Sequence, residues 1–214
     1  MAEDVSLQKR GLTREYILAL SRKKNEPKWL CDLRLEGLKY WNKLSMPKWA
    51  PDISELNLGE ILMYVETGNE MVSSWDEVPE EIKNTFDQLG IPKAEQEHLA
   101  GVGAQYDSEV IYHNLKERIA KKGVIYLPME EAIQLTKSKK ENIITKYGVD
   151  VGSIVKKHFM KLISEKDHKF AALHAAVWSG GSFIYIPKNV SVEIPIQSYY
   201  RLNAPGAGQF EHTL

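Results

Sequence analysis

The sequence predicts an α+β fold, with a mainly helical N-terminal region and strands gathered at the C-terminal end. Two observations carry this. Apolar residues recur at helical spacing through the first half of the chain, between proline and glycine breaks. Near the end, Val190, Val192, Ile194 and Ile196 alternate with Ser191, Glu193, Pro195 and Gln197. That period-two pattern, rich in β-branched residues, turns one face of a strand to a core and the other to water.

The elements follow in order. Thr13 is placed to cap a short helix carrying Tyr16, Ile17 and Leu20, which runs out in Lys23-Lys24-Asn25 before Pro27. A second helix is predicted from Lys28 to Leu44, with Leu30, Leu33, Leu38, Trp41 and Leu44 on one face. Met46-Pro47 and Ala50-Pro51 stop it, because a residue before proline is driven toward extended geometry. A polar connector follows, with a short strand predicted at Ile61–Val65.

Pro79 to Leu89 reads as the cleanest helix: Pro79 at the first position, Glu80 and Glu81 at the positive end of the dipole, Gly90 past the last turn. Pro92 opens another, to about Ala100. A helix is predicted from Ser108 to Lys122, because Ile111, Leu115 and Ile119 lie four apart and Gly123 closes the run. Val124–Leu127 is a strand ended by Pro128, Met129–Leu135 a short helix, and the polar stretch after it a loop. Ile154–Leu162 is weakly helical and Phe170–Trp178 an alanine-rich helix. After Ser179-Gly180-Gly181 the pattern is strand throughout, with turns at Pro187-Lys188-Asn189 and Pro205-Gly206. Residues 1–122, 123–169 and 170–214 are thus a helical region, a mixed connecting region and the start of a β core.

Composition excludes several classes. In 214 residues, 28 Lys and Arg face 29 Asp and Glu, a balance that argues against a nucleic-acid binder. The basic run at Lys137 reads as a solvated loop. No apolar run approaches the ~20 residues of a membrane span, and the N-terminus has no apolar signal core. A single cysteine, Cys31, allows no intrachain disulfide and fits a reducing, cytoplasmic setting.

Candidate chemistry is sparse. Gly101-Val-Gly-Ala-Gln mimics a dinucleotide loop, but Tyr106 fills the third glycine position and no strand is predicted before it; a helix-to-helix junction fits better. The six histidines form no H-x-x-x-H pair, so no metal site is predicted, and His168 and His174, six apart, do not share a helix face well. Cys31, inside the second helix, reads as structural, since one thiolate cannot hold an iron–sulfur cluster that takes four protein ligands. Trp29, Tyr40 and Trp41 read as helix packing rather than a base-stacking platform. Arg201 falls, by strand parity, on the side of Ser191, Glu193 and Gln197, where it is an edge guard or a guanidinium turned to an anionic species.

Long runs of the chain resemble a known family. PKWL at 27–30, RLEGL at 34–38, MPKWAPD at 46–52, SWDEVPEEIKNTFDQLGIP at 74–92 and GVGAQYDSEVIYHNL at 101–115 carry the likeness. So do GVIYL at 123–127, FAAL at 170–173, WSGGSFIYIP at 178–187, YYRLN at 199–203 and GQFE at 208–211. Together they resemble the SufB family of iron–sulfur cluster assembly scaffolds (the SufB/SufD family), in its N-terminal portion. The GVGAQY-x-SEV-x-YHN run is the one that separates SufB from its paralogue SufD.

The resemblance implies that the strands after residue 170 are the first coils of a right-handed parallel β-helix. It implies a non-enzymatic scaffold of the SUF system, working in the cytoplasm with the ATPase SufC and with SufD or a second SufB, through regions beyond Leu214. The expected cluster belongs to the full-length protein, because the family's ligand cysteines lie past that point, so this stretch is expected to hold no cofactor. Arg201 stands at the family's arginine linked to cluster assembly. His174, His212 and the Ala204-Pro-Gly-Ala stretch depart from the family pattern. The alternative reading is a SufB-derived, non-catalytic interaction or adaptor protein. A sugar-cleaving β-helix enzyme is excluded for want of converging carboxylates near the strands.

Overall fold

Thr13 caps the first helix as its position predicts: its Oγ1 accepts a hydrogen bond from the Tyr16 amide at 3.2 Å. The computed structural model describes Leu7 and residues 10–49, 51–88 and 99–214. Helix α1 spans Arg14–Lys23 and buries Tyr16, Ile17 and Leu20. Helix α2, Lys28–Lys43, follows Pro27 directly. Leu30 and Leu38 are buried on its inner face, with Arg34 and Gly37 between them. A basic residue thus sits at the centre of a stripe predicted to be apolar.

Helix α3, Glu80–Gln88, covers a three-stranded sheet through Ile82 and Phe86. Its expected end at Leu89-Gly90, and the helix expected from Pro92, lie outside the described residues. In that sheet β1, Gly101–Tyr106, is flanked by antiparallel β2, Glu109–Leu115, and by parallel β5, Ile196–Arg201. All six residues of β1 are buried. A second, antiparallel pair joins β3, Ile125–Pro128, to β4, Ser182–Tyr185. Isolated parallel bridges link Leu62 to Ala207 and Val72 to Tyr112.

The remaining helices are α4, Glu117–Ala120; α5, Met129–Leu135; α6, Lys140–Tyr147; α7, Val151–His158; and α8, Lys169–Val177. Helix α8 is apolar on nearly every side and runs through the centre of the molecule, its Leu173 and Ala176 packed toward α1 and α2 and its Ala175 toward Phe159. Gly37 lets α2 lie directly on it: a Cβ there would come within 2.9 Å of the Ala172 carbonyl oxygen.

The α+β class is what the chain adopts, but several elements differ from expectation. The helix predicted over Ser108–Lys122 is strand β2 followed by the single turn α4. Spacing of four at Ile111, Leu115 and Ile119 is outweighed by hydrogen bonding of Val110–Tyr112 to β1, where β-branched and aromatic side chains pack well. The glycine-rich run at 101 is itself a strand, not a junction between helices. The strand expected at Ile61–Val65 reduces to the Leu62 bridge. The polar stretch taken as loop contains α6, anchored by buried Ile143 and ended by Gly148 at φ +74°. The weak helix starts earlier than predicted, at Val151, because Asp150 Oδ1 caps it through the Ser153 amide at 3.0 Å.

The C-terminal stretch is not strand throughout. Pro187 and Pro195 cannot donate to a ladder, and residues 186–195 between β4 and β5 are irregular. Their apolar face is nevertheless as predicted. Val190, Val192, Ile194 and Ile196 pack together on Ala100, Ile119 and Val124.

Candidate functional site around Arg201

Arg201 ends β5, opposite Tyr106 in the parallel register. It shares its side of the strand with Gln197 and Tyr199, while Ile196 faces the opposite way onto its apolar cluster. Tyr199 packs against the core beneath α3. The Arg201 side chain is half-buried, and its Nε is shielded from solvent without a hydrogen-bond partner.

Its backbone is held by a polar knot built on Asp107, which adopts φ +50° in the tight turn between β1 and β2. The Asp107 amide donates to the Arg201 carbonyl at 2.8 Å. Asp107 Oδ1 in turn accepts from the amides of Asn203 and Ala204 at 2.7 and 2.9 Å. Gln209 Nε2 and Gln105 Nε2 both donate to the Asp107 carbonyl, at 2.9 and 3.0 Å. Asn203 and Ala204, in the turn after Arg201, and Gln209 beyond it are therefore tied back to the β1–β2 corner.

Gln105 extends the knot to the glycine pair. Its Oε1 accepts from the Gly181 amide at 2.9 Å, and its Nε2 also donates to the Ser179 carbonyl at 3.3 Å. Gly180 and Gly181 sit at φ +77° and +90°, and a Cβ on Gly180 would lie 2.0 Å from Gln105 Oε1. Here glycine is required both by the dihedral and by the close approach. The Gly180 amide donates to Glu130 at 2.5 Å, and Lys24 pairs with the same carboxylate at 3.0 Å. Burial pushes the Glu130 carboxyl up, but Lys24 and the Gly180 amide outweigh it and hold the group below the usual carboxylate range.

Arg34 anchors the other end of this segment. It is fully buried, forks onto Glu26 through Nε and Nη2 at 2.8 and 2.6 Å, and donates to the carbonyls of Ala176 and Trp178 at 3.0 and 2.9 Å. Its guanidinium lies 4.9 Å from the Trp178 ring. In the sequence, RLEGL carries only a likeness; the sign of this pair is an Arg at the Leu30/Leu38 seam with a Glu eight residues earlier.

Cys31 is half-buried on α2 and unpaired. Trp29 and Trp41 pack against the core as expected. His168 acts as a helix cap, its Nδ1 accepting from the Ala171 amide at 3.1 Å. Contrary to the spacing argument, His168 and His174 line one cavity, together with His158 and His212. The reason is that His168 precedes α8 and its backbone is extended, so six residues are not six helical steps. Among the described residues, no group of three or more His, Cys, Asp or Glu is arranged to hold a metal ion. No described helix is long and apolar enough to cross a membrane.

No family model matches the chain. Comparison with curated proteins does find relatives. The chain is 48% identical, over 99% of its length, to an iron–sulfur cluster assembly SufBD family protein of Staphylococcus aureus (strain USA300). Over the same share it is 49% identical to the iron–sulfur cluster assembly protein SufB of Bacillus subtilis (strain 168). The chain belongs to the SufBD family. It spans 43% of the length of each of these relatives and corresponds to their N-terminal part. The SufBD likeness runs through the polar knot as well as Arg201, since YYRLN and GVGAQYDSEV both lie within the matched length.

Proposed function

We propose that the chain is the N-terminal part of a SufB-like scaffold on which iron–sulfur clusters are assembled. The observation that carries this is 48–49% identity, along 99% of the chain, to proteins named for that task. In this reading the chain is not an enzyme, and the cluster is cargo of the longer protein. The parallel pairing of β1 with β5 is the opening of a β-helix continued by later coils. SufC and SufD, or a second SufB, dock on those later regions, in the cytoplasm.

Arg201 is the residue of this stretch that serves assembly. A planar, always charged guanidinium orients anionic or sulfur-bearing groups in a way no neutral side chain does. The Asp107 knot supports the role, because it fixes the strand end from the backbone and leaves the guanidinium out of the structural bonding that clamps the turn. The test is Arg201→Ala in a full-length SufBD protein carrying this sequence, scored twice. Unfolding should shift by no more than about 1 kcal/mol, while cluster formation with SufC and SufD present should fall sharply. Unchanged cluster formation overturns the role, and so does unfolding of the variant.

A further inference from the structure

Between the connector after α7 and the last residues of the chain lies a cavity of about 380 Å³, lined by His158, Met160, His168, Phe170, His174 and His212. Two of these imidazoles face each other: the rings of His174 and His212 are 5.4 Å apart, centre to centre. The Nε2 atoms of both are buried and have no hydrogen-bond partner. Each is thus a buried nitrogen with nothing in the protein to satisfy it. The Phe159 ring packs against His212 in a tilted arrangement, 4.3 Å between ring centres.

Met160 adds an independent observation. It is 7% exposed, yet its backbone sits at φ +50°, a left-handed conformation that a long side chain adopts at a cost of about 1 kcal/mol or more. The strained turn places Met160 on the cavity wall. The other two histidines are otherwise engaged: His168 Nδ1 is committed to its cap, and His158 is exposed at the rim.

We propose that His174 Nε2, His212 Nε2 and the Met160 sulfur form a binding site for a soft monovalent cation of the Cu(I) class. All three donors are neutral and two types of soft or borderline atom are represented, which suits Cu(I). Hard cations need oxygen ligands, and zinc fills four positions with N, S or carboxylate donors. Among the described residues no such larger set is present. The neutral imidazole is the form that ligates a metal ion. This site is independent of the scaffold reading and of Arg201.

The experiment is an anaerobic Cu(I) titration against a coloured Cu(I) chelator, in a Cys31→Ser background that removes the single thiol. We expect one Cu(I) per chain, with affinity reduced about 10–100-fold in His174→Gln and His212→Gln and weakened in Met160→Leu. Loading should raise the melting temperature of the parent and not of the histidine variants. Cu(I) binding unaffected by either histidine change overturns the site, as does equally tight stoichiometric binding of Zn(II). Should a histidine variant fail to fold, the parent chain decides: Cu(I) must shift the imidazole nitrogen resonances of His174 and His212, and unmoved resonances overturn the proposal.

Discussion

Removing the Arg34 guanidinium should be among the most damaging single changes in the chain. Arg34 is 0% exposed and Glu26 is 2% exposed at its side chain. Arg34→Ala leaves that carboxylate buried without its partner, strips donors from the carbonyls of Ala176 and Trp178, and opens space against the Trp178 ring. Breaking a buried ion pair from one side costs about 3–5 kcal/mol, far more than the pair contributes relative to a well-packed apolar replacement. For a chain of this size that corresponds to a fall of roughly 6–20 °C in melting temperature. Urea unfolding followed by tryptophan fluorescence and by circular dichroism gives the free energy directly. The pair Glu26→Gln and Arg34→Met, which removes both charges, should be less harmful than Arg34→Ala alone, because the carboxylate no longer needs a counter-charge. An Arg34→Ala loss below about 1 kcal/mol, or strict additivity in the double variant, would refute the reasoning.

Three further outcomes are expected. Gly180→Ala should destabilise by more than about 2 kcal/mol, since the new methyl meets Gln105, whereas Gly206→Ala, at φ +72° with nothing within 4 Å of the new methyl, should cost only the left-handed strain of about 1 kcal/mol; equal losses in chemical denaturation would show that the Gln105 contact is unimportant. Stability should fall as pH drops from about 6.5 toward about 4, because burial holds His113 and His212 at about 4 while the unfolded chain takes up protons near 6.5; His113→Gln should flatten that slope, and an unchanged slope counts against it. Anaerobic reconstitution of the chain with iron and sulfide should leave no stoichiometric cluster after desalting, because Cys31 supplies one thiolate where four protein ligands are the norm; a stable chromophore lost in Cys31→Ser would instead reveal a cluster bridging two chains.

The helices with a cap and a clear stripe were legible in the sequence. Thr13, Pro27 and the Pro79–Glu81 start each act locally, and local signals survive folding. The same holds for the Val190–Ile196 face, although prolines deny it a ladder. What escaped was decided by distant partners. β1 contains Gly101 and Gly103, residues depleted in strands, because the Tyr126 ring lies against them: a Cβ on Gly103 would sit 2.5 Å from the Tyr126 hydroxyl. Nothing near Gly103 announces a tyrosine 23 positions on. β2 carried a four-residue spacing that only pairing with β1 could overrule. Arg34 looked like a blemish in an apolar stripe until Glu26 and the end of α8 were placed beside it. At the candidate site, Arg201 was singled out from parity and likeness, but Asp107 and Gln105 were not, since their importance lies in backbone amides contributed by residues roughly 75–100 positions later.

That distance has a consequence for how the chain is made. β1 is buried on every residue, yet one of its two neighbours, β5, emerges from the ribosome roughly 95 residues afterwards. At synthesis rates of about 5–20 residues per second, the strand waits roughly 5–20 s with an open edge. During that interval only the hairpin to β2 and the cover of α3 protect it. A nascent chain stalled before residue 196 should therefore be a good client for chaperones and a poor one for release, and slowing codons placed between β4 and β5 should lower the yield of soluble protein more than the same codons placed before β1.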